Sequence, residues 1–157
     1  MRLRDFLKKE MLLLDVASSK KEDVIGELVN LFPISDRAKE ILIDTLLNRE
    51  KLGSTGVGKG IAIPHCRSLV VEKPLISVGR SKKGVDFGSL DGKPVHIIFL
   101  VCAPPQPRPM EYLLILGKVA QLCKEIVKSS RVFETDDEEE FMSILTECDE
   151  RVEKRRA

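Results

Sequence analysis

The sequence lacks an excess of charge of either sign, because 26 basic residues face 25 acidic ones and leave a formal net charge of +1. This balance gives no electrostatic support for binding nucleic acid or an anionic membrane surface. A long apolar run is also missing: the longest, Val95 to Pro105, contains His96 and falls short of the ~20 residues that a membrane helix needs. The amino-terminal MRLRDFLKKE lacks the apolar core of a signal peptide. We therefore expect a cytoplasmic protein without direct membrane insertion and without a nucleic-acid partner.

Cysteine pairs at C-x-x-C spacing are absent as well. Scattered cysteines favour reduced thiols in a cytosolic protein over a disulfide framework or a zinc site, so we predict no metal site. The length of 157 residues is most economically explained by one domain, residues 1–157, with one core. The four cysteines are Cys66, Cys102, Cys123 and Cys148.

The spacing of apolar residues predicts strands that alternate with helices. One helix follows the capping-box pair Ser19 and Glu22, and a second begins at the N-cap Ser35. The β-branched run Val95–Cys102 is expected to form a central strand covered on both faces. Met110–Cys123 is apolar almost all round, which predicts a buried helix. Together these elements predict an α/β domain with a mixed central β-sheet and helices packed on both faces.

The stretch from Asn48 to Arg67, NREKLGSTGVGKGIAIPHCR, combines glycines, two hydroxyl side chains and a histidine. Its glycines permit positive φ and close backbone approach, which a loop needs to point N–H groups at an anion. Ile61 to Ile63 are expected to form a short buried strand, and Pro64 interrupts the strand ladder just before His65. A histidine at a strand end, beside a loop whose groups can donate hydrogen bonds to phosphate, indicates a nucleophile that carries a phosphoryl group.

Two nucleotide-binding patterns in this stretch are rejected. Gly53 to Lys59 fits the start of a P-loop, but Gly60 stands where the metal-binding Ser or Thr should follow. The context is also reversed, because a predicted helix precedes this loop and a predicted strand follows it. The G-x-G-x-G run from Gly56 to Gly60 lacks both the dinucleotide-binding spacing and the βαβ setting. Residue types alone leave open a flexible connector that ends in a core histidine.

The segment REKLGSTGVGKGIAIPH resembles the signature of the type-2 enzyme IIA domains of the bacterial phosphoenolpyruvate-dependent sugar phosphotransferase system (PTS). This fructose/mannitol class also includes the nitrogen-regulatory enzyme IIA proteins, and the similarity extends from about Leu12 to Glu147. The resemblance implies the type-2 enzyme IIA fold and a phosphotransferase component that is itself a phosphoprotein. It further implies that HPr phosphorylates His65, that an enzyme IIB takes the group onward for sugar transport, and that no metal or organic cofactor is required.

The expected chemistry at His65 is nucleophilic, since a neutral imidazole keeps one lone pair that can attack phosphorus. Phosphoryl transfer leaves the protein mainly positioning and charge stabilisation to perform. We expect the loop hydroxyls, loop backbone N–H groups and one guanidinium to contact the phosphate, with an Arg49–Glu50 ion pair as the alternative for that guanidinium. These expected phosphate-binding residues are Arg49, Ser54, Thr55, Gly56 and Gly58.

One departure from the family pattern concerns the second histidine that commonly starts the helix after the proline-rich loop. Tyr112 occupies that position here, with Glu111 beside it. A phenol can still donate to a phosphate oxygen, so Tyr112 joins the supporting residues. His96 lies inside the predicted central strand and is expected to be structural. Cys66 points away from the side of the strand that carries His65 and is expected to pack in the core.

Two functions of different kinds follow from the resemblance. The first is a phosphocarrier that accepts a phosphoryl group from phospho-HPr and passes it to enzyme IIB for sugar uptake. The second is a nitrogen-regulatory protein whose phosphorylation state controls a binding partner. A third possibility is a vestigial domain that no longer accepts phosphate because Tyr112 has replaced a histidine.

Overall fold

The computed structural model describes residues 2–105 and 109–156. Within this part of the chain, no helix combines the length and the apolar character needed to cross a membrane. Short 3-10 turns at Leu3–Asp5 and Lys9–Met11 precede the first strand. The strands are β1 (Leu12–Leu13), β2 (Gly56–Gly58), β3 (Ile61–Ala62), β4 (His65–Arg67), β5 (Leu75–Val85) and β6 (Val95–Ala103). The helices are α1 (Lys21–Val29), α2 (Asp36–Leu52), α3 (Pro109–Ile126), α4 (Arg131–Glu134) and α5 (Glu138–Arg156).

Strand β6 lies in the middle of a mixed sheet of order β1-β5-β6-β3-β2, and β4 pairs with β6 as well. It runs antiparallel to β5 and parallel to β3 and β4. Strands β3 and β4 are successive parts of one extended segment that is interrupted at Pro64, which has no N–H to donate. The Pro64 carbonyl still accepts from the N–H of Val101 at 2.9 Å, which keeps the segment against β6. The interruption makes His65 the first residue of β4.

Side chains alternate across β6 and supply two cores, one on each face of the sheet. One set of residues packs with apolar residues of α3 and α5, and the other packs with apolar residues of α1 and α2. This arrangement confirms the predicted mixed sheet with helices on both faces, and it confirms Val95–Cys102 as a central strand covered on both sides. The first set is Ile97, Phe99 and Val101, and the second is Ile98, Leu100 and Cys102.

The two predicted helix starts have different outcomes. Ser35 caps α2 as expected, because its hydroxyl accepts from the backbone N–H of Ala38 at 3.1 Å. The capping box at Ser19 is wrong, since α1 has Lys20 at its N-cap and no side-chain capping bond. The Glu27 carboxylate instead accepts from the backbone N–H groups of Ala17 and Ser18 at 3.1 and 3.4 Å. These bonds fix the chain before α1 in a different path from that of a capping box.

Helix α3 is confirmed, but the expectation that it is buried all round is wrong at its start. Met110, Leu113 and Leu114 have exposed fractions of 64%, 56% and 52%. One face of α3 packs into the core with β6 and α5, so residues on the opposite face meet water whatever their polarity. These exposed apolar side chains flank the buried Tyr112.

Candidate active site

His65 is half-buried at the start of β4, and a backbone carbonyl selects its tautomer. Its Nδ1 lies 2.6 Å from the carbonyl oxygen of Ile63. A carbonyl oxygen only accepts, so Nδ1 must carry the proton in this contact. In the neutral imidazole the lone pair is then left on Nε2. The extended backbone before Pro64 therefore leaves the free lone pair of the neutral His65 ring on Nε2.

Tyr112 of α3 lies beside this imidazole. The ring centroids are 6.2 Å apart and the ring planes are tilted by 47°. Burial raises the pKa of the Tyr112 phenol far above its usual range, and the positive charges of Arg67 and Arg49 only partly oppose the effect. The phenol is therefore neutral at physiological pH. It can donate one hydrogen bond to a phosphate oxygen but contributes no positive charge.

Arg67 is a neighbour of this site that the sequence reasoning missed. It is exposed at the end of β4, two residues beyond His65, and alternate residues of a strand lie on the same face. Its guanidinium carbon Cζ lies 5.2 Å from the centroid of the Tyr112 ring, in a cation–π contact. A basic residue at the second position after a candidate nucleophile in a strand is the signal that would have found it.

Arg49 lies in the last turn of α2, a helix that packs against β4. Its Nη1 donates to the carbonyl of Gly53 at 2.9 Å, and its charge acts on Tyr112 together with that of Arg67. The alternative pairing of Arg49 with Glu50 is wrong, because the Glu50 carboxylate binds other donors. The structure thus brings His65, Tyr112 and two guanidinium groups into one cluster.

The two hydroxyls of the glycine-rich loop bind the protein itself. The Thr55 Oγ1 donates to the Glu50 carboxylate. The Ser54 Oγ donates to the carbonyl of Phe87 at 2.5 Å and accepts from the N–H of Gly56 at 3.0 Å. In this arrangement neither hydroxyl proton is directed at His65. Ser54 and Thr55 therefore hold the shape of the loop, and a contact with phosphate would require these hydroxyls to rotate.

The loop glycines are needed for backbone geometry. A Cβ on Gly56 would lie 2.2 Å from the Oγ of Ser89, so any larger residue would force the Ser89 side chain to move. Gly58 has φ of +93° and is followed by Lys59 with φ of +57°, which forms the tight turn between β2 and β3. The N–H of Gly56 already binds Ser54, so it serves the loop before any ligand.

Two other side chains singled out in the sequence lie in packed surroundings. The Sγ of Cys66 is buried and lies 3.7 Å from the Sγ of Cys102, on the side of β4 away from His65. His96 contacts the carbonyl of Ser81 through Nδ1 at 2.8 Å, and its ring packs edge-on against Phe133. Both contacts fit structural roles. Among the described residues, no group of three or more His, Cys, Asp or Glu side chains is placed to hold a metal ion.

Glu50 is the residue that organises the loop, and its role was not foreseen from the sequence. Only 7% of Glu50 is exposed. Its carboxylate accepts from the Thr55 N–H at 3.2 Å, from the Thr55 hydroxyl, and from the Lys21 ammonium at 3.2 Å. Lys21 is held in turn over the ring of Phe87, 5.6 Å from its centroid. This network ties α1, the end of α2 and the glycine-rich loop together.

Replacing Glu50 with Gln is expected to lower the free energy of unfolding by about 2 kcal/mol, because a buried network loses its charge-assisted bonds. Urea unfolding followed by circular dichroism measures this change. Glu40→Gln is the matched control, since Glu40 is exposed on the same helix and pairs with the exposed Arg37. Its expected effect is within about 0.5 kcal/mol. Equal stability of the two variants would show that the Glu50 network does not support the loop.

Residues 5–148 match the family described as phosphoenolpyruvate-dependent sugar phosphotransferase system, EIIA 2. The chain is 33% identical over 151 residues to the fructose-specific EIIABC component of the PTS of Bacillus subtilis, covering 95% of this chain. It spans only 24% of that longer relative. It is also 35% identical over 123 residues to a nitrogen regulatory protein of Pseudomonas aeruginosa, covering 77% of this chain and 79% of the relative.

The fold is shared with the enzyme IIA-Mtl of Escherichia coli, solved in a complex with phosphorylated enzyme IIB-Mtl. The TM-score is 0.70 at 21% identity, covering 90% of this chain and 97% of that one. This likeness concerns the fold and confirms the predicted type-2 enzyme IIA architecture. From the match over residues 5–148, the chain belongs to the type-2 enzyme IIA family of the phosphoenolpyruvate-dependent sugar phosphotransferase system.

Proposed function

We propose that this protein is a cytoplasmic phosphocarrier that accepts a phosphoryl group from phospho-HPr on the Nε2 of His65 and passes it to an enzyme IIB component. The observation that carries the proposal is the contact between the His65 Nδ1 and the Ile63 carbonyl, which leaves a lone pair on Nε2. Membership of the family supplies the chemical class of the donor and of the acceptor. No metal or organic cofactor takes part in the proposed reaction.

In the proposed step, the Nε2 lone pair of His65 forms a bond to phosphorus while the phosphorus–nitrogen bond of the donor histidine breaks. The electron pair of the broken bond returns to the donor imidazole. The donor imidazole leaves as a neutral ring because its other nitrogen carries a proton, and the proton on the His65 Nδ1 stays in its bond to the Ile63 carbonyl. The His65 imidazole is a good leaving group once it is phosphorylated. The same kind of displacement therefore passes the phosphoryl group to the nucleophile of the next protein. Arg49 offsets charge on the phosphoryl oxygens, and the Tyr112 phenol donates to one of them.

The surface around His65 supports docking of a partner protein. Met110, Leu113 and Leu114 are exposed on the first turns of α3, and Leu69 is 85% exposed just after β4. Exposed apolar side chains in a polar surround are typical of protein–protein contact sites. Since the enzyme IIA-Mtl named above forms a complex with phosphorylated enzyme IIB-Mtl, we infer that this face of α3 meets the IIB component.

A nitrogen-regulatory role is the alternative, and the identity of 35% to a nitrogen regulatory protein supports it as directly as the 33% identity supports sugar transport. Both roles use the same phosphorylation of His65. They differ in what happens next, because a carrier gives the group to enzyme IIB, whereas a regulator changes its affinity for a binding partner.

The proposal is tested by the intact mass of the protein after incubation with phosphoenolpyruvate, enzyme I and HPr. We expect a gain of one phosphoryl group that is labile in acid, as a phosphoramidate is. Omission of HPr is the control and should leave the mass unchanged. The absence of any gain, with the same HPr active on another enzyme IIA, would reject the carrier and favour the vestigial domain.

Addition of a fructose-class enzyme IIB then separates the two roles. A sugar carrier loses its phosphoryl group to the IIB component within the time of its own phosphorylation. A regulator keeps the group in the presence of IIB, and that outcome would move the proposal to the nitrogen-regulatory alternative.

A further inference from the structure

We infer that Arg67 binds the phosphoryl oxygens on phosphorylated His65 and supplies positive charge that the neutral phenol of Tyr112 cannot. The inference rests on the proposed function for the identity of the phosphorylated residue. It assigns to Arg67 a direct contact with the transferred group, in addition to the contact expected from Arg49. The two arginines would then hold the phosphoryl group from different elements, β4 and α2.

The first argument is the position of Arg67 on β4. Residues two apart in a strand lie on the same face about 6.5 Å from each other, so the Arg67 side chain starts on the side of the sheet that carries the His65 imidazole. Cys66 between them is buried on the opposite side against Cys102. An arginine side chain is long enough to bring its guanidinium over a group attached to the Nε2 of His65.

The second argument is the state of the guanidinium before phosphate arrives. The Arg67 guanidinium rests on the Tyr112 ring at 5.2 Å, and Tyr112 lies beside His65. Within residues 2–105 and 109–156, no carboxylate or carbonyl accepts from it. A cation–π contact acts through the charge of the guanidinium and does not use up its N–H groups as hydrogen-bond donors. The contact therefore holds the group near the site and leaves the donors that phosphate needs.

The third argument is the charge balance at the site. A phosphoryl group on histidine brings about two negative charges to a half-buried position at neutral pH. Tyr112 is neutral, and Arg49 already donates one N–H to the Gly53 carbonyl. Arg67 is the second cation whose charge reaches the Tyr112 phenol. A planar fork of N–H groups binds two phosphoryl oxygens at once, which an ammonium group does less well.

The test uses phosphoramidate as a small donor as well as phospho-HPr, so that contact with the phosphoryl group is separated from contact with a partner protein. In the reaction with phosphoramidate, the phosphorus–nitrogen bond breaks, ammonia leaves with the proton that the zwitterion already carries, and a bond from phosphorus to Nε2 forms. The variants are Arg67→Met, Arg67→Lys and the control Arg37→Met, which removes an exposed arginine of α2. Rates are followed by intact mass.

With both donors, we expect Arg67→Met to react about tenfold more slowly than the wild type, the size of effect typical of a lost charge-assisted bond to phosphate. Arg67→Lys should lie between the two, because it keeps the charge without the fork, and Arg37→Met should match the wild type. Unchanged rates in Arg67→Met would overturn the inference. A loss confined to phospho-HPr would assign Arg67 to partner docking and also overturn it. Equal losses of rate in the Met and Lys variants would show that Arg67 only supports the Tyr112 ring, which would also overturn the inference.

The proposed function can fail separately from this inference. A wild type that phosphoramidate modifies on His65 but that phospho-HPr leaves unmodified would reject the PTS donor, while the Arg67 variants would still be compared with the small donor. A His65 that neither donor modifies would reject both the phosphocarrier and the role of Arg67.

Discussion

Replacing His65 with Gln is expected to abolish phosphorylation by phospho-HPr while leaving the fold intact. In the proposed reaction the attacking group is the Nε2 lone pair that the Ile63 carbonyl preserves, and a carboxamide nitrogen has no such lone pair to offer. Loss of the attacking atom is expected to lower the rate by at least about 10⁴-fold, since positioning by the other residues cannot replace it. Intact mass after incubation with phosphoenolpyruvate, enzyme I and HPr measures the effect. Stability should change little, because His65 is only half-buried.

His96→Gln is the matched control, because it removes the only other histidine of the chain. His96 packs against Ser81 and Phe133, away from the cluster of Tyr112 and the arginines, so its variant should gain the phosphoryl group like the wild type. Circular dichroism of both variants checks that the fold is retained. An acid-labile mass gain that survives in the His65 variant and disappears in the His96 variant would contradict the proposal, because His96 would then be the residue that carries the phosphoryl group.

Much of the architecture could be predicted from the sequence because it rests on local patterns. The run Val95–Cys102 is apolar on both faces, and only a strand between two helical layers buries both. Pro64 cannot donate to a strand ladder, so the position of His65 at the start of β4 follows from the chain itself. The sequence pattern predicted too much burial for α3, because burial depends on the neighbouring elements. Leu113 and Leu114 are apolar but remain more than half exposed.

The polar contacts of the site could not be read from the sequence, because their partners are distant along the chain. From the sequence alone, the hydroxyls of Ser54 and Thr55 are candidate hydrogen-bond donors to phosphate. In the fold, however, Ser54 donates to the carbonyl of Phe87, which is 33 residues away. Thr55 binds Glu50, which the sequence pairs equally well with Arg49. The cation–π contact between Arg67 and Tyr112 joins β4 to α3, and no local sequence pattern indicates that these two side chains meet. Residue type indicates what a side chain can bind, and only the fold decides what it does bind.

Replacing Arg80 with Met is expected to lower the free energy of unfolding by about 3 kcal/mol, the largest effect on stability that we predict. Arg80 is fully buried on β5. Its Nε donates to the carbonyl of Leu14 at 3.2 Å, Nη1 to that of Val132 at 3.3 Å, and Nη2 to that of Thr135 at 2.7 Å. One side chain thus connects the end of the β1 segment to both ends of α4. Urea unfolding measures the change, with Arg37→Met as the exposed control.

The direction of this effect depends on which of two costs is larger. Burial lowers the pKa of Arg80, opposed by the charges of Asp15 and Asp136, so taking the cation out of water carries a penalty that Met would remove. The carbonyls of Leu14, Val132 and Thr135 remain in the variant, however, and lose the donors that satisfy them. Orphaned buried acceptors cost about 1–3 kcal/mol each, and methionine has nothing to donate, so we expect their loss to dominate. Arg80→Lys should recover part of the stability, because one ammonium cannot reach three separate carbonyls. A Met variant as stable as the wild type would show that the desolvation of the guanidinium had cancelled its hydrogen bonds.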